Sequence, residues 1–67
     1  MMTTISPREE QVLKAISQGY TVKEIATQLY VSPHTIITHK KRLINKLKAL
    51  NSASLVRRGF ETGVLKA

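Results

Sequence analysis

Residues 32–48, SPHTIITHKKRLINKLK, decide the fold, because a single helix over this stretch has two sides of opposite character. At helical spacing, Ile36, Leu43 and Leu47 fall in one narrow apolar stripe. The opposite side is polar apart from one isoleucine, and its members are His34, Ile37, Thr38, Lys41 and Asn45. The pattern predicts a helix that packs its stripe against a core and leaves its other side open to a partner.

The open side of this helix is also basic. Positions 40–48 hold five Lys or Arg residues and no carboxylate, in a chain whose formal net charge is +7. Between Glu24 and Glu61 there are seven basic residues and no acidic one. Such a block favours a polyanionic partner, and a docked helix with a basic outer side suits the major groove of duplex DNA. The simpler alternative is a solvated face that keeps a small domain soluble.

The composition limits the class of protein. A chain of 67 residues with 42% apolar residues is sufficient for one small domain with a hydrophobic core. It contains no cysteine, so disulfides and thiolate metal sites are excluded. No apolar run approaches the roughly 18 residues of a membrane span, and the N-terminus lacks a signal-peptide pattern, so we expect a cytoplasmic protein that contacts no membrane. We expect residues 1–4 to be a disordered lead-in and residues 5–67 to form the domain.

Capping residues predict where the helices begin and end. Residues 6–9, SPRE, combine a capping box with proline at the first helical position, and Gly19 is typical of a helix end. Thr21 and Glu24 repeat the capping box, and Ser32 precedes a second helix-starting proline. The predicted helices span residues 7–18, 22–29, 33–48 and 53–62. We therefore predict an all-α fold, a compact four-helix domain with a central helix-turn-helix.

With these residues placed, the stretch from Ile5 to Leu65 resembles the LuxR-type helix-turn-helix domain, the C-terminal effector domain of many bacterial regulators. The matching residues follow one another at fixed spacing without a gap. They are Ser6-Pro7-Arg8-Glu9, Val12-Leu13, Gly19, Thr21, Lys23-Glu24-Ile25-Ala26, Leu29, Val31-Ser32, Thr35-Ile36, His39, Leu43 and Lys46-Leu47. The resemblance implies sequence-specific binding of double-stranded promoter DNA in transcription regulation, with the third helix in the major groove.

The resemblance also implies roles for individual side chains. Those implied at base edges are Ile37, Thr38 and Lys41, and His34 lies on the same side, where it could contact either bases or backbone. Those implied near phosphates are Lys23, Ser32, Thr35 and Lys46, to which we add the helix cap Thr21 and the basic residue Arg42. A homodimer would form through the fourth helix, whose apolar residues are Leu55, Val56 and Phe60.

Two positions depart from the usual pattern of the family. Ile37 stands where the family often has lysine or another polar residue, and an aliphatic side chain makes only apolar contact, most usefully with a thymine methyl group. Lys48 stands where a glycine frequently follows the third helix, so that turn must close differently. Two further expectations come from side-chain chemistry: Lys41 can donate to guanine O6 and N7, whereas Thr38 is left open between a thymine methyl group and a phosphate.

Other functions are less well supported by the residues. No Ser–His–acid grouping follows from the layout, and a domain this small leaves little room for a pocket of roughly 300 Å³, so we expect no enzyme, no cofactor and no small-molecule ligand. His34 and His39 are five residues apart and cannot share a metal ion as an i, i+4 pair would, so we expect no metal site. We expect the His39 ring to be hydrogen-bonded at the edge of the core.

Two rival functions remain. The first is a LuxR-like interaction module that pairs with other regulators without reading DNA, an alternative motivated by Ile37. The second is a membrane-surface helix, because residues 36–50 are basic and amphipathic. The second rival conflicts with the fold, since the apolar stripe is needed for the core.

Overall fold

The computed structural model describes residues 5–66, which form four α-helices and no strand. The helices are α1 (Pro7–Ser17), α2 (Val22–Leu29), α3 (Pro33–Leu47) and α4 (Ser52–Glu61). The predicted all-α class is confirmed, and every predicted helix boundary lies within one residue of the observed one. The predicted lead-in at positions 1–4 lies outside the described residues. None of the helices within residues 5–66 has the length and apolar content that a membrane crossing requires.

Reciprocal side-chain bonds start the first two helices, as the capping boxes predict. Oγ of Ser6 accepts a hydrogen bond from the Glu9 amide at 3.1 Å, and Oε1 of Glu9 accepts one from the Ser6 amide at 3.0 Å. The Thr21–Glu24 pair repeats the arrangement at 3.2 and 2.8 Å. Each box satisfies two amides that have no partner within the helix. Local sequence therefore determines where α1 and α2 begin.

The turns after α2 and α3 are made without glycine. Gly19 has a φ of 91° after α1, as expected, but Tyr30 and Lys48 also have left-handed backbones, with φ values of 57° and 54°. At the end of α3 the Ala49 amide donates to the Ile44 carbonyl at 3.0 Å, which closes the turn around Lys48. Lys48, at a position where the resemblance implies glycine, therefore adopts the glycine-like conformation itself.

The first and third helices are at the centre of the fold, because each of them packs against the other three helices, whereas the described residues of α2 and α4 do not contact each other. The stripe residues of α3, Ile36, Leu43 and Leu47, are 0%, 0% and 1% exposed. The rest of the buried apolar core comes from all other elements: Val12, Leu13, Ala15, Ile25, Ala26, Leu55 and Leu65. The inner side of α3 is thus fully occupied, which leaves a membrane-surface helix without its apolar face.

The segment after α4 folds back onto the body of the domain. The Leu65 amide donates to the Gly59 carbonyl at 3.0 Å, and the Leu65 side chain is buried. A Cβ atom at Gly59 would lie 2.8 Å from Cδ1 of Leu65 and 3.1 Å from Cδ2 of Leu13. The glycine in the middle of α4 therefore provides the space in which the C-terminal segment packs.

Candidate nucleic-acid interface

The outer side of α3 is open to solvent and opposite the buried stripe. His34, Lys41, Arg42 and Asn45 are exposed, Ile37 is 40% exposed, and Thr38 is half-buried. The predicted two-sided helix is confirmed in its geometry, since the four side chains expected at base edges share this side. Lys40 is half-buried beside the stripe, as expected of a lysine whose stem packs while its amine reaches water.

The hydroxyl groups on α3 are already engaged in local hydrogen bonds. Oγ of Ser32 accepts from the Thr35 amide at 3.2 Å and lies 3.0 Å from Oγ1 of Thr35, so Ser32 caps the helix. One turn later, Oγ1 of Thr38 donates to the His34 carbonyl at 3.1 Å. That bond commits the hydroxyl hydrogen of Thr38 to the helix backbone.

The N-termini of α2 and α3 offer places where a phosphate could sit. Thr21 and Ser32 are exposed caps, and Lys23 is exposed in the first turn of α2. Helix N-termini favour anions because their first amide groups point outward and the helix dipole is positive there. Together with the exposed guanidinium of Arg42, these groups can attract a polyanion without reading its sequence.

Lys46 is paired within the domain. Its Nζ lies 2.7 Å from Oε1 of Glu9, whose side chain is only 4% exposed, while the Lys46 side chain is 39% exposed. Burial by itself raises the pKa of Glu9, but the hydrogen bonds from Lys46 and from Ser6 outweigh it, and the pKa is lowered. Sequence reasoning placed Lys46 near a phosphate and missed this bond, since the two residues are 37 positions apart.

Of the residues of α4 that were expected at a dimer interface, one lies in the core and two lie at the surface. Leu55 is 0% exposed and belongs to the core, so the expectation that it lines a dimer interface needs correction: it has no surface left for a second copy. Val56 is half-buried and Phe60 is 46% exposed. Nε of Arg58 donates to the Leu47 carbonyl at 2.9 Å, which fixes α4 to the end of α3.

One expectation about a polar site also differs from the structure. Shallow surface depressions of about 320 and 380 Å³ are present within residues 5–66, but both are wide open to solvent and neither encloses a cavity. The larger depression is lined by exposed side chains of α2, namely Lys23, Glu24, Thr27 and Gln28. His39 is half-buried, but its Nδ1 is buried without a hydrogen-bond partner, so the expected ring hydrogen bond is not made at that atom. The expectation rested on the position of the ring beside the stripe, which does not reveal whether an acceptor lies within reach.

Comparison with known proteins places these features in a family. The family model of the bacterial regulatory proteins of the luxR family matches residues 3–58. The chain is 42% identical over 57 residues to the transcriptional regulatory protein UhpA of Escherichia coli (strain K12), covering 85% of this chain and 29% of UhpA. It is 39% identical over 62 residues to the transcriptional regulatory protein FixJ of Rhizobium meliloti (strain 1021), covering 92% of this chain and 30% of FixJ. The chain therefore spans less than a third of the length of these relatives.

Proposed function

The chain belongs to the luxR family of bacterial regulatory proteins, a family of DNA-binding transcription regulators, and from this premise we propose that α3 lies in the major groove of a promoter duplex. One observation carries the proposal. Ile36, Leu43 and Leu47 hold the helix in the core, while exposed basic residues occupy its opposite side without a carboxylate among them. A helix held in this way can enter a groove as a rigid element.

In this proposal some side chains of α2, α3 and their N-caps contact the bases and others contact the DNA backbone. Those at base edges are His34, Ile37, Thr38 and Lys41. Those near phosphates are Thr21, Lys23, Ser32, Thr35, Arg42 and Lys46. Phosphate contacts supply most of the affinity and set the position of the helix, whereas the base contacts discriminate sequence. Lys46 can serve both partners, because an ammonium group has three donors and Glu9 takes one.

The same proposal includes a homodimer on DNA through α4. Ala53, Val56, Arg57 and Phe60 lie at i, i+3, i+4 and i+7, the spacing of one helix side, and they are exposed or half-buried. Leu55 supports this surface from the core beneath it. Two copies would read half-sites about one helical turn apart, in a (pseudo)palindromic arrangement.

A salt titration tests the proposal. Duplexes selected from a random pool are titrated with the domain at rising salt concentration. Logarithmic affinity should fall with logarithmic salt at a slope of about −0.9 per neutralised phosphate, and selected duplexes should bind more tightly than scrambled ones at every salt concentration. Symmetric selected motifs would support the dimer.

The interaction module without DNA reading is the competing outcome of this titration. It would give a flat salt dependence together with tight association between protein chains. The observation that favours it is Ile37, an aliphatic side chain that is 40% exposed on the side of α3 that would face DNA.

A further inference from the structure

The centre of the outer side of α3 is apolar, which is unexpected on a basic helix. Ile37 is the one large hydrophobic side chain of α3 that is exposed, at 40%. The other large hydrophobic side chains that are exposed within residues 5–66 lie outside α3. They are Tyr20, Tyr30, Leu50 and Phe60. An exposed aliphatic side chain has no donor or acceptor with which to read the polar edge of a base.

Thr38, the next residue, also lacks a free donor, but for a different reason. Its Oγ1 donates to the His34 carbonyl at 3.1 Å, so the hydroxyl hydrogen is not available to a base. A threonine that turns its hydroxyl to the helix backbone keeps its methyl group as the remaining contact surface. Ile37 and Thr38 together therefore present hydrocarbon and no free donor, and the nearest donors on the same side belong to His34 and Lys41, about one turn before and one turn after them.

The major groove offers one apolar feature for such a surface, the C5-methyl group of thymine. We propose that this domain recognises its operator chiefly through thymine methyl groups, which Ile37 and Thr38 contact. This inference rests on the proposed docking of α3 in the major groove. Lys41 donates to a guanine beside those thymines. The ligand class is thus a duplex in which one or two thymines adjoin a guanine in each half-site.

Replacing thymine with deoxyuridine tests the inference, because uracil lacks the methyl group and keeps the same pairing and hydrogen-bonding edge. The probe is a duplex selected by this domain, with thymines replaced one at a time. One or two replacements in each half-site should weaken binding about fourfold each, which corresponds to loss of one buried methyl group. At some positions, changing a T·A pair to C·G should weaken binding. Replacing that cytosine with 5-methylcytosine should then recover part of the lost affinity.

Variants assign the effect to the two side chains. Ile37→Ala should bind thymine and uracil duplexes equally at one of the sensitive positions, whereas Lys41→Ala, the matched control, should keep the full difference there. At Thr38, valine keeps the branched shape and serine keeps the hydroxyl, so Thr38→Val should retain the thymine preference and Thr38→Ser should lose it. Circular dichroism would verify that each variant is folded.

The outcomes separate this inference from the proposed function. Salt-dependent, sequence-preferring binding that is indifferent to uracil would overturn methyl recognition while the proposed DNA docking stands. Equal behaviour of Thr38→Val and Thr38→Ser would remove Thr38 from the recognition surface. Failure of the native domain to bind any duplex would overturn both proposals.

Discussion

Nζ of Lys46 lies 2.7 Å from Oε1 of Glu9, and this ion pair joins the second half of α3 to the capping box that starts α1. The same carboxylate oxygen accepts the Ser6 amide at 3.0 Å. The buried carboxylate of Glu9 therefore takes part both in the capping box of α1 and in a tertiary contact with α3. A lysine on the basic helix is therefore held in place by the fold itself.

Substitution of Lys46 should therefore cost stability as well as affinity. In Lys46→Met the stem is retained but Glu9 loses its cation, and we expect the free energy of unfolding to fall by about 1–2 kcal/mol, less than for a fully buried pair because Lys46 is partly exposed. Urea denaturation measures this. Lys41→Met, at an exposed position of the same helix, is the control and should change stability by less than about 0.5 kcal/mol. An equally stable Lys46→Met protein would show that the ion pair contributes nothing.

The lowered pKa of Glu9 predicts how stability depends on pH. Its folded-state pKa lies below the ordinary value of 4.5, so its contribution is complete above about pH 4.5 and is lost as pH falls through the folded-state pKa. Glu9→Gln should therefore lose stability less steeply on acidification, measured by urea titrations between pH 6 and pH 3.

The control for this pH dependence is Glu10→Gln, at the exposed neighbouring position, which should retain the native slope. Glu24, whose pKa is lowered by hydrogen bonds from Thr21, should account for part of the slope that Glu9→Gln leaves. A Glu9→Gln protein with an unchanged slope would contradict the assignment.

The left-handed backbone of Lys48 predicts a stabilising substitution. Non-glycine residues are disfavoured at a φ of 54°, so Lys48→Gly should raise the free energy of unfolding by about 0.5–1 kcal/mol. Lys48→Ala removes the same charge but keeps Cβ, and it should give no such gain. Thermal or urea denaturation of the two variants separates backbone strain from charge; the idea fails if they are equally stable.

The close approach of Gly59 and Leu65 predicts that Gly59→Ala changes stability in opposite directions with and without the Leu65 side chain. Gly59→Ala should improve helix propensity but force Leu65 away, because the added Cβ would lie 2.8 Å from its Cδ1, and we expect a net loss of about 1 kcal/mol. In a Leu65→Ala background that clash is relieved, so the same substitution should become neutral or stabilising. A double-mutant cycle measures the coupling. Equal effects in both backgrounds would mean that Leu65 does not restrict position 59.

Lys41 and Arg42 should affect DNA binding in different ways. Lys41→Ala is expected to reduce the preference for the selected site over scrambled DNA by about 1–3 kcal/mol, whereas Arg42→Ala should weaken binding to all sequences alike. Competition binding at fixed salt measures both. Arg42 is a better control for Lys41 than Lys46 is, because Lys41 and Arg42 are both exposed and neither is in an ion pair within residues 5–66, whereas Lys46 is paired with Glu9. Equal, sequence-independent losses would remove Lys41 as a base reader.

The sequence by itself determined the helices and the two sides of α3. The bonds that start a helix join residues three positions apart, as in Ser6–Glu9 and Thr21–Glu24, and the apolar stripe follows the helical period. Both kinds of information are local, so spacing along the chain is enough to predict them.

Only the tertiary structure decided how distant residues are used. It paired Lys46 with Glu9, placed Leu55 in the core rather than on the α4 surface, and gave Gly59 the role of making space for Leu65. Each of these depends on how helices that are separated along the chain cross one another. The orientation of a helix about its own axis then decides which of its apolar side chains contact another helix and which face solvent. Periodicity predicts that an apolar side exists, but packing between helices determines which residues at its edge are buried.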